Sequence, residues 1–394
     1  MKSLAATFAL ATLLSCASAT AADEPDAVTR LPAQPVGPTA VKPAVPALPS
    51  MTFAEIERAL RDRPPAWEHG DVRASIAAAL DQQVTVQVRD EMTDEERTQL
   101  QPLLQFYRRR VDVGLDALER TPVQGGVLIV KFYSSSVVLK SAAGTVAVDF
   151  CQGPVNNGGE PETRDNRRTG FFWTTGQRDR LARLVDASII THRHHDHADY
   201  SLSRRLVSQG KPVVGPPQLK ELWKDLAAGI AVPRFGHIER IGPAEVYTML
   251  GRQYPQSRAD ASGQREGLPS DDPAADTESI VYLVRVGGIV FLQGAENHVP
   301  AGEWLQQGIA QGLTLDVILS VGQYQGQRSV DAMLRQRSPT FRIPVHEYEL
   351  MHERGGNRTS PWLTGAGRKA FDQHRSMPLF WGESFLVTRD LVAR

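Results

Sequence analysis

THRHHDHADY, residues 191–200, places four of the chain's ten histidines between His192 and His197, with Asp196 among them. The preceding DASII (186–190) is a short apolar run, so SIITHRHHDH reads as a strand running out into a loop. Side chains two apart on a strand share a face, which puts His192 and His194 on one side. Asp196 and His197 arrive as the chain turns toward the next helix and point elsewhere. One short stretch can thus offer two nitrogens to one metal ion, and an oxygen and a nitrogen to a second. Zinc accepts such a mixed set at about 2.0–2.2 Å, and a catalytic site keeps one position for water. A solvated histidine-rich loop is the plainer account; H-x-H-x-D-H directly behind an apolar strand argues against it.

Outward from the cluster, the texture is that of strands alternating with helices. VLIVKFYSSSVVLKS (127–141) and TVAVDF (145–150) are β-branched runs separated by a Gly144 turn, a hairpin pattern. TGQRDRLARLV (175–185), ADYSLSRRLVSQG (198–210) and the region of PQLKELWKDLAAG (217–229) read as helices. KPVVGP (211–216) lies between the last two as a strand. The second half repeats the rhythm, with strands at AEVYTML (244–250), SIVYLVRV (279–286) and GIVFLQG (288–294). A helix at PAGEWLQQGIAQG (300–312) and buried strands at LDVILSV (315–321) and FRIPV (341–345) follow. Two packed sheets with helices outside are expected. Upstream, MTFAEIERALRDR (51–63) and DEMTDEERTQLQPLLQFYRRRVDVGLDALER (90–120) carry apolar residues at helical spacing. Thr93 before DEER marks a helix start with acids in its first turn.

His192-Arg193-His194-His195-Asp196-His197 resembles the signature of the metallo-β-lactamase superfamily, and the resemblance covers roughly residues 121–394. It implies an α/β (α+β) fold, a four-layer αββα sandwich, with the site along one edge of the paired sheets. Here that domain would take residues 122–394 and carry an N-terminal helical extension over 51–121. TVAVDF, ending in Asp149 and Phe150, resembles the strand that the family places before its metal loop. The motif is nearly silent on substrate, because the scaffold hosts many chemistries.

The resemblance also implies later ligands. After the strand FRIPV, His346 matches the family's last histidine, with His352 as competitor. Where the family has a Gly-Asp bridge, this chain reads GGIVFLQGAENH (287–298), so Ala295 cannot ligate and Glu296 is the expected substitute. Asn297 and His298 stand close by. The family's middle histidine is missing from GRQYPQSRAD (251–260), which offers only Gln253 and Gln256. His237, in RFGHIER, is the tentative replacement. The expected metal set is therefore His192, His194, Asp196, His197, Glu296 and His346, with His237 tentative and Asp196 also catalytic. One or two Zn2+ ions are expected, and iron or manganese remains open.

A formal net charge of −1 and a pI near 6.8 give no basic footprint for nucleic acid, so a small-molecule substrate is the expected partner. MKSLAATFALATLLSCASATAADEPD has Lys2, an apolar run from Leu4 to Leu14, and small residues at Ala17, Ala19 and Ala21. That is the layout of a secretory signal peptide over 1–22, and the run is too short to span a bilayer. LLSC also resembles a lipoprotein box, making Cys16 a candidate lipid anchor. Residues 23–50 are a Pro-rich linker. With Cys16 removed or lipidated, Cys151 has no intramolecular partner and reads as a small buried hydrophobe.

The expectation is an exported hydrolase, periplasmic or extracellular, with no integral membrane span. In it a metal-activated hydroxide attacks an ester, lactone or phosphodiester bond. Two alternatives stand beside it: an iron-dependent redox enzyme of the sulfur dioxygenase type on the same fold, and a binding protein on a degenerate site. HERGGNRTSPW (352–362) places Arg354 and Arg358 near the expected site mouth, where they could hold an anion. A surface loop is the simpler account of them.

Overall fold

Period-2 alternation separates two layers of apolar residues in the second half of the chain. In the strand Ser279–Val286, Ile280, Tyr282 and Val284 pack with residues of the N-terminal sheet. Val281 and Leu283, between them, join a second core with Tyr247, Met249, Val290, Leu292 and Ile318, against which Ile309 of a helix packs. A sheet with both faces buried in this way lies between another sheet and a helical layer. The computed structural model describes residues 50–84, 86–89, 92–154, 173–251, 279–293, 301–321, 341–351, 368 and 371–392.

Thirteen strands build two mixed sheets among the described residues. In chain order they are β1 (Val127–Lys131), β2 (Val137–Ser141), β3 (Gly144–Val148), β4 (Ala187–Ile189), β5 (Val213–Val214), β6 (Ile230–Ala231), β7 (Ile238–Ile241), β8 (Ala244–Gly251), β9 (Ser279–Val286), β10 (Ile289–Gln293), β11 (Val317–Val321), β12 (Phe341–Val345) and β13 (Ser384–Val387). The first sheet runs β13-β1-β2-β3-β4-β5-β6 and the second β12-β11-β10-β9-β8-β7. In chain order each begins with antiparallel pairs and continues with parallel ones. The expected α+β sandwich is the fold observed. Local readings change in places: VLIVKFYSSSVVLKS is two strands, because Phe132–Ser136 forms a tight turn with Phe132 N donating to Ser136 O at 2.9 Å, and the helix read over 217–229 ends at Leu222.

Three N-terminal helices, α1 (Phe53–Asp62), α2 (Gly70–Gln83) and α3 (Asp94–Arg120), share the core of the first sheet. Thr93 caps α3, with Glu96 completing the capping box. Arg73 of α2 is fully buried; its guanidinium donates to both oxygens of Glu383, at 3.0 and 2.7 Å, and to Pro378 O at 2.7 Å. Arg110 of α3 donates to Trp381 O at 2.9 Å. Here the chain passes so close to α3 that a Cβ on Gly382, at φ +72, would collide with Arg110 O. Helices α4 (Thr175–Leu184), α5 (Tyr200–Ser208), α6 (Gln218–Leu222) and α7 (Ala301–Ala310) follow strands, and a short helix, α8 (Arg389–Val392), follows β13. Among the described residues no helix is long and apolar enough to cross a membrane.

A buried ion pair that loses one partner leaves an uncompensated charge in low dielectric. Glu383→Ala is therefore expected to destabilise the fold by about 3–5 kcal/mol, read as a lowered denaturant midpoint. Arg234→Ala, at the exposed pair with Glu239, should change stability by no more than about 1 kcal/mol.

Candidate metal centre

The carboxyl ends of β3, β4, β10 and β12 meet at one edge of the paired sheets. Two hydrogen bonds sew the sheets together there: Ile280 N donates to Thr191 O at 2.9 Å, and Tyr282 Oη donates to Ile190 O at 3.0 Å. β4 stops at Ile189, so the histidines are carried on a turn rather than on an extended strand. His197 N and Ala198 N both donate to His194 O, at 3.0 and 2.9 Å, and this curl brings the side chains together.

Two groups of three side chains result: His192, His194 and Asp196, and then Asp196, His197 and His346. Within each, one potential ligand atom per residue lies within 4.8 Å of the others. Asp196 belongs to both groups. Its Oδ2 is 2.6 Å from His346 Nε2 and 3.8 Å from His197 Nε2. His192, Asp196, His197 and His346 are buried, while His194 and His195 are partly exposed. Burial would raise the Asp196 pKa, but His197 and His346 outweigh it and hold the carboxyl well below its usual range. His346 has φ +67, a left-handed conformation that turns it off the end of β12. Its N–H donates to Ser134 O at 3.0 Å.

Orientation comes from Asp149, the residue that follows β3, at φ +44 and fully buried. Its carboxylate accepts from Thr191 N at 2.7 Å, Thr191 Oγ1 at 2.9 Å, His197 Nδ1 at 3.0 Å and Gln293 Nε2. A carboxylate accepting from Nδ1 fixes the tautomer of His197, leaving the Nε2 lone pair facing the cluster. Thr191 Oγ1 lies 3.0 Å from His192 Nδ1. Because its hydrogen goes to Asp149, the hydroxyl accepts from His192 Nδ1–H and fixes that ring the same way. Carboxylate-backed imidazoles with Nε2 lone pairs converging on an ionised carboxylate suit a divalent transition metal. His195 is set differently: burial would lower its pKa, but Glu349, 3.7 Å away, and Asp196 raise it.

Of the other expected ligands, His237 lies exposed in the turn before β7 and is not brought to the cluster. Glu296 and the neighbouring Ala295, Asn297 and His298 lie outside the described residues, as do His352, Gln253, Gln256, Arg354 and Arg358. Thr191, Gln293 and Glu349 were not singled out by sequence reasoning. Their one local signal is adjacency to the ends of strands that lead into the motif residues.

Asp149→Asn would present an amide donor to His197 and Thr191, inverting the hydrogen bonds that set both rings. Its metal affinity should fall about 10–100-fold, measured by competition with a chromophoric chelator, with an unchanged far-ultraviolet circular dichroism spectrum. His237→Ala should leave affinity and stoichiometry as they are.

No protein-family model and no curated protein matches the chain. Solved structures do. It is similar to a possible metal-dependent hydrolase from Veillonella parvula (13% identity, 68% of this chain and 100% of that one, TM-score 0.43). It is also similar to the isothiocyanate hydrolase from Delia radicum gut bacteria (13% identity, 66% and 99%, TM-score 0.42). A third is a metallo-β-lactamase fold protein from Bacillus subtilis (11% identity, 66% and 99%, TM-score 0.41). The chain's resemblance to the metallo-β-lactamase superfamily stands on its own H-x-H-x-D-H motif, which the turn after β4 carries to the edge of the paired sheets.

Proposed function

We propose that this chain is an exported metal-dependent hydrolase acting on an ester, lactone or phosphodiester bond in a small-molecule substrate. The observation that carries the reading is the pair of three-residue groups sharing Asp196 at the edge of the sheets. His192 and His194 would hold one ion, His197 and His346 a second, and Asp196 would serve both. A bound divalent cation supplies a water of pKa about 7 and a Lewis acid for the oxygen that gains charge.

The protein's own part is to aim and to exclude. Thr191 and Asp149 keep the imidazole lone pairs pointing inward, so little reorganisation accompanies binding. Asp196, held as an anion, accepts hydrogen bonds only, and so orients a proton-bearing nucleophile. The partly exposed His194 and His195 stand on the solvent side, where a substrate would enter. Zinc is the proposed resident ion, and removal of the leader over 1–22 or lipidation at Cys16 the proposed route to an exported form.

The test starts with protein purified without added metal and assayed for bound elements. It is then stripped with chelator, reloaded with zinc, manganese or iron, and presented with chromogenic lactone, phosphodiester, thioester and β-lactam substrates. Zinc content with hydrolysis that is lost on stripping and restored on reloading is the expected result; His194→Ala should lower turnover by at least about 100-fold. Iron with oxygen consumption would establish the redox alternative instead. Stable metal with no turnover on any substrate would leave a binding protein.

A further inference from the structure

Three consecutive serines occupy the turn between β1 and β2, and their polar groups have different partners. Ser136 Oγ accepts from Cys151 N at 2.7 Å and donates to Cys151 O at 2.8 Å, pinning the turn to the chain that leaves β3. Ser134, at φ +45, forms a β-bridge with Glu347. Its carbonyl accepts from His346 N at 3.0 Å and from the buried Lys131 ammonium. The turn is thereby held on both sides of Ser135, which is itself fully buried. Ser135 Oγ lies 3.1 Å from His197 Nε2.

That nitrogen is the one facing the cluster. His197 Nδ1 is committed to Asp149, so Nε2 carries the lone pair and the Ser135 hydroxyl donates to it. A cation would take the same lone pair, leaving the Ser135 hydroxyl beside it with its oxygen lone pairs free to face the ion. Two donors each about 2.0–2.2 Å from one ion sit roughly 3.0–3.5 Å apart. The observed 3.1 Å is within that spacing. The three serines thus divide the work: one shapes the turn, one anchors it, and the middle one faces the site.

We propose that Ser135 Oγ is a further ligand of this centre, a neutral oxygen added to the group of Asp196, His197 and His346. The proposal rests on the reading of the cluster as a metal centre. A hydroxyl is a harder donor than imidazole, so it would make this group more accepting of manganese or iron than Asp196 and the two imidazoles alone.

Cobalt(II) binding to the full chain tests it spectroscopically. Wild-type protein should bind cobalt with only the d–d bands of nitrogen and oxygen ligands. Ser135→Cys should add a thiolate-to-cobalt charge-transfer band in the near ultraviolet. Cys151 is present in both proteins, so the difference isolates position 135. Cobalt bound to Ser135→Cys at wild-type stoichiometry without the new band would overturn the proposal. If Ser135→Cys does not fold, Ser135→Ala replaces it. For that variant, manganese affinity at one equivalent should fall about 10–100-fold while the other is unchanged; two unchanged equivalents would overturn the assignment. Failure of wild-type protein to bind cobalt at all would instead overturn the metal-centre reading, and the Ser135 ligand with it.

Discussion

The Asp149 carboxylate has no contact with solvent, and a buried carboxylate must find donors for its lone pairs. It finds them on separate segments: Thr191 and His197 on the turn after β4, and Gln293 at the end of β10 in the opposite sheet. One group therefore ties together the strand that carries it, the ligand turn and the second sheet. It also sets two rings, His197 directly and His192 through Thr191. Take that acceptor away and the imidazoles still sit near one another, but nothing decides which nitrogen of each faces inward. The chemistry of the site depends on that choice, since only a lone pair can hold a cation.

Support for the turn extends into the N-terminal helices. Tyr107 of α3 donates to Gln152 O at 2.5 Å and accepts from Trp173 Nε1 at 2.8 Å. The Gln152 amide donates to Asp199, whose other carboxylate oxygen caps α5 by accepting from Leu202 N. Tyr133, stacked on Trp381, donates to Glu349, whose carboxylate lies 3.7 Å from His195. The helices thus press an aromatic layer against the back of the ligand-bearing segments. Burial there removes water that would otherwise compete for the hydrogen bonds. The N-terminal helices and the sheets thereby share one core.

Much of the fold was legible because its signals are local. Thr93 with Glu96 announces α3, and the runs that became β8, β9, β10, β11 and β12 are short, apolar and β-branched. The turn at Phe132–Ser136 was not legible. It lacks the Gly, Asn or Asp that usually marks a hairpin, and Ser134 adopts φ +45 with its carbonyl held by His346 and Lys131. β13 was hidden for a related reason, since SFLV gains its identity only by pairing with β1 from the far end of the chain. His237 illustrates the converse. Residue type, and its being the one histidine in the sequence between the cluster and His298, made it a candidate, yet the turn before β7 leaves it in solvent.

What the sequence settled by itself was the inventory: a motif whose spacing lets one short turn offer His192, His194, Asp196 and His197 together, and runs whose periods imply paired sheets. Those are properties of neighbours along a chain, fixed by bond geometry and side-chain period. Tertiary structure alone decided that His346 would meet Asp196, that Asp149 would choose the tautomers, and that Ser135 would face His197. Those contacts join residues far apart in the chain, and only the packing of one sheet on the other brings their strand ends to a common edge.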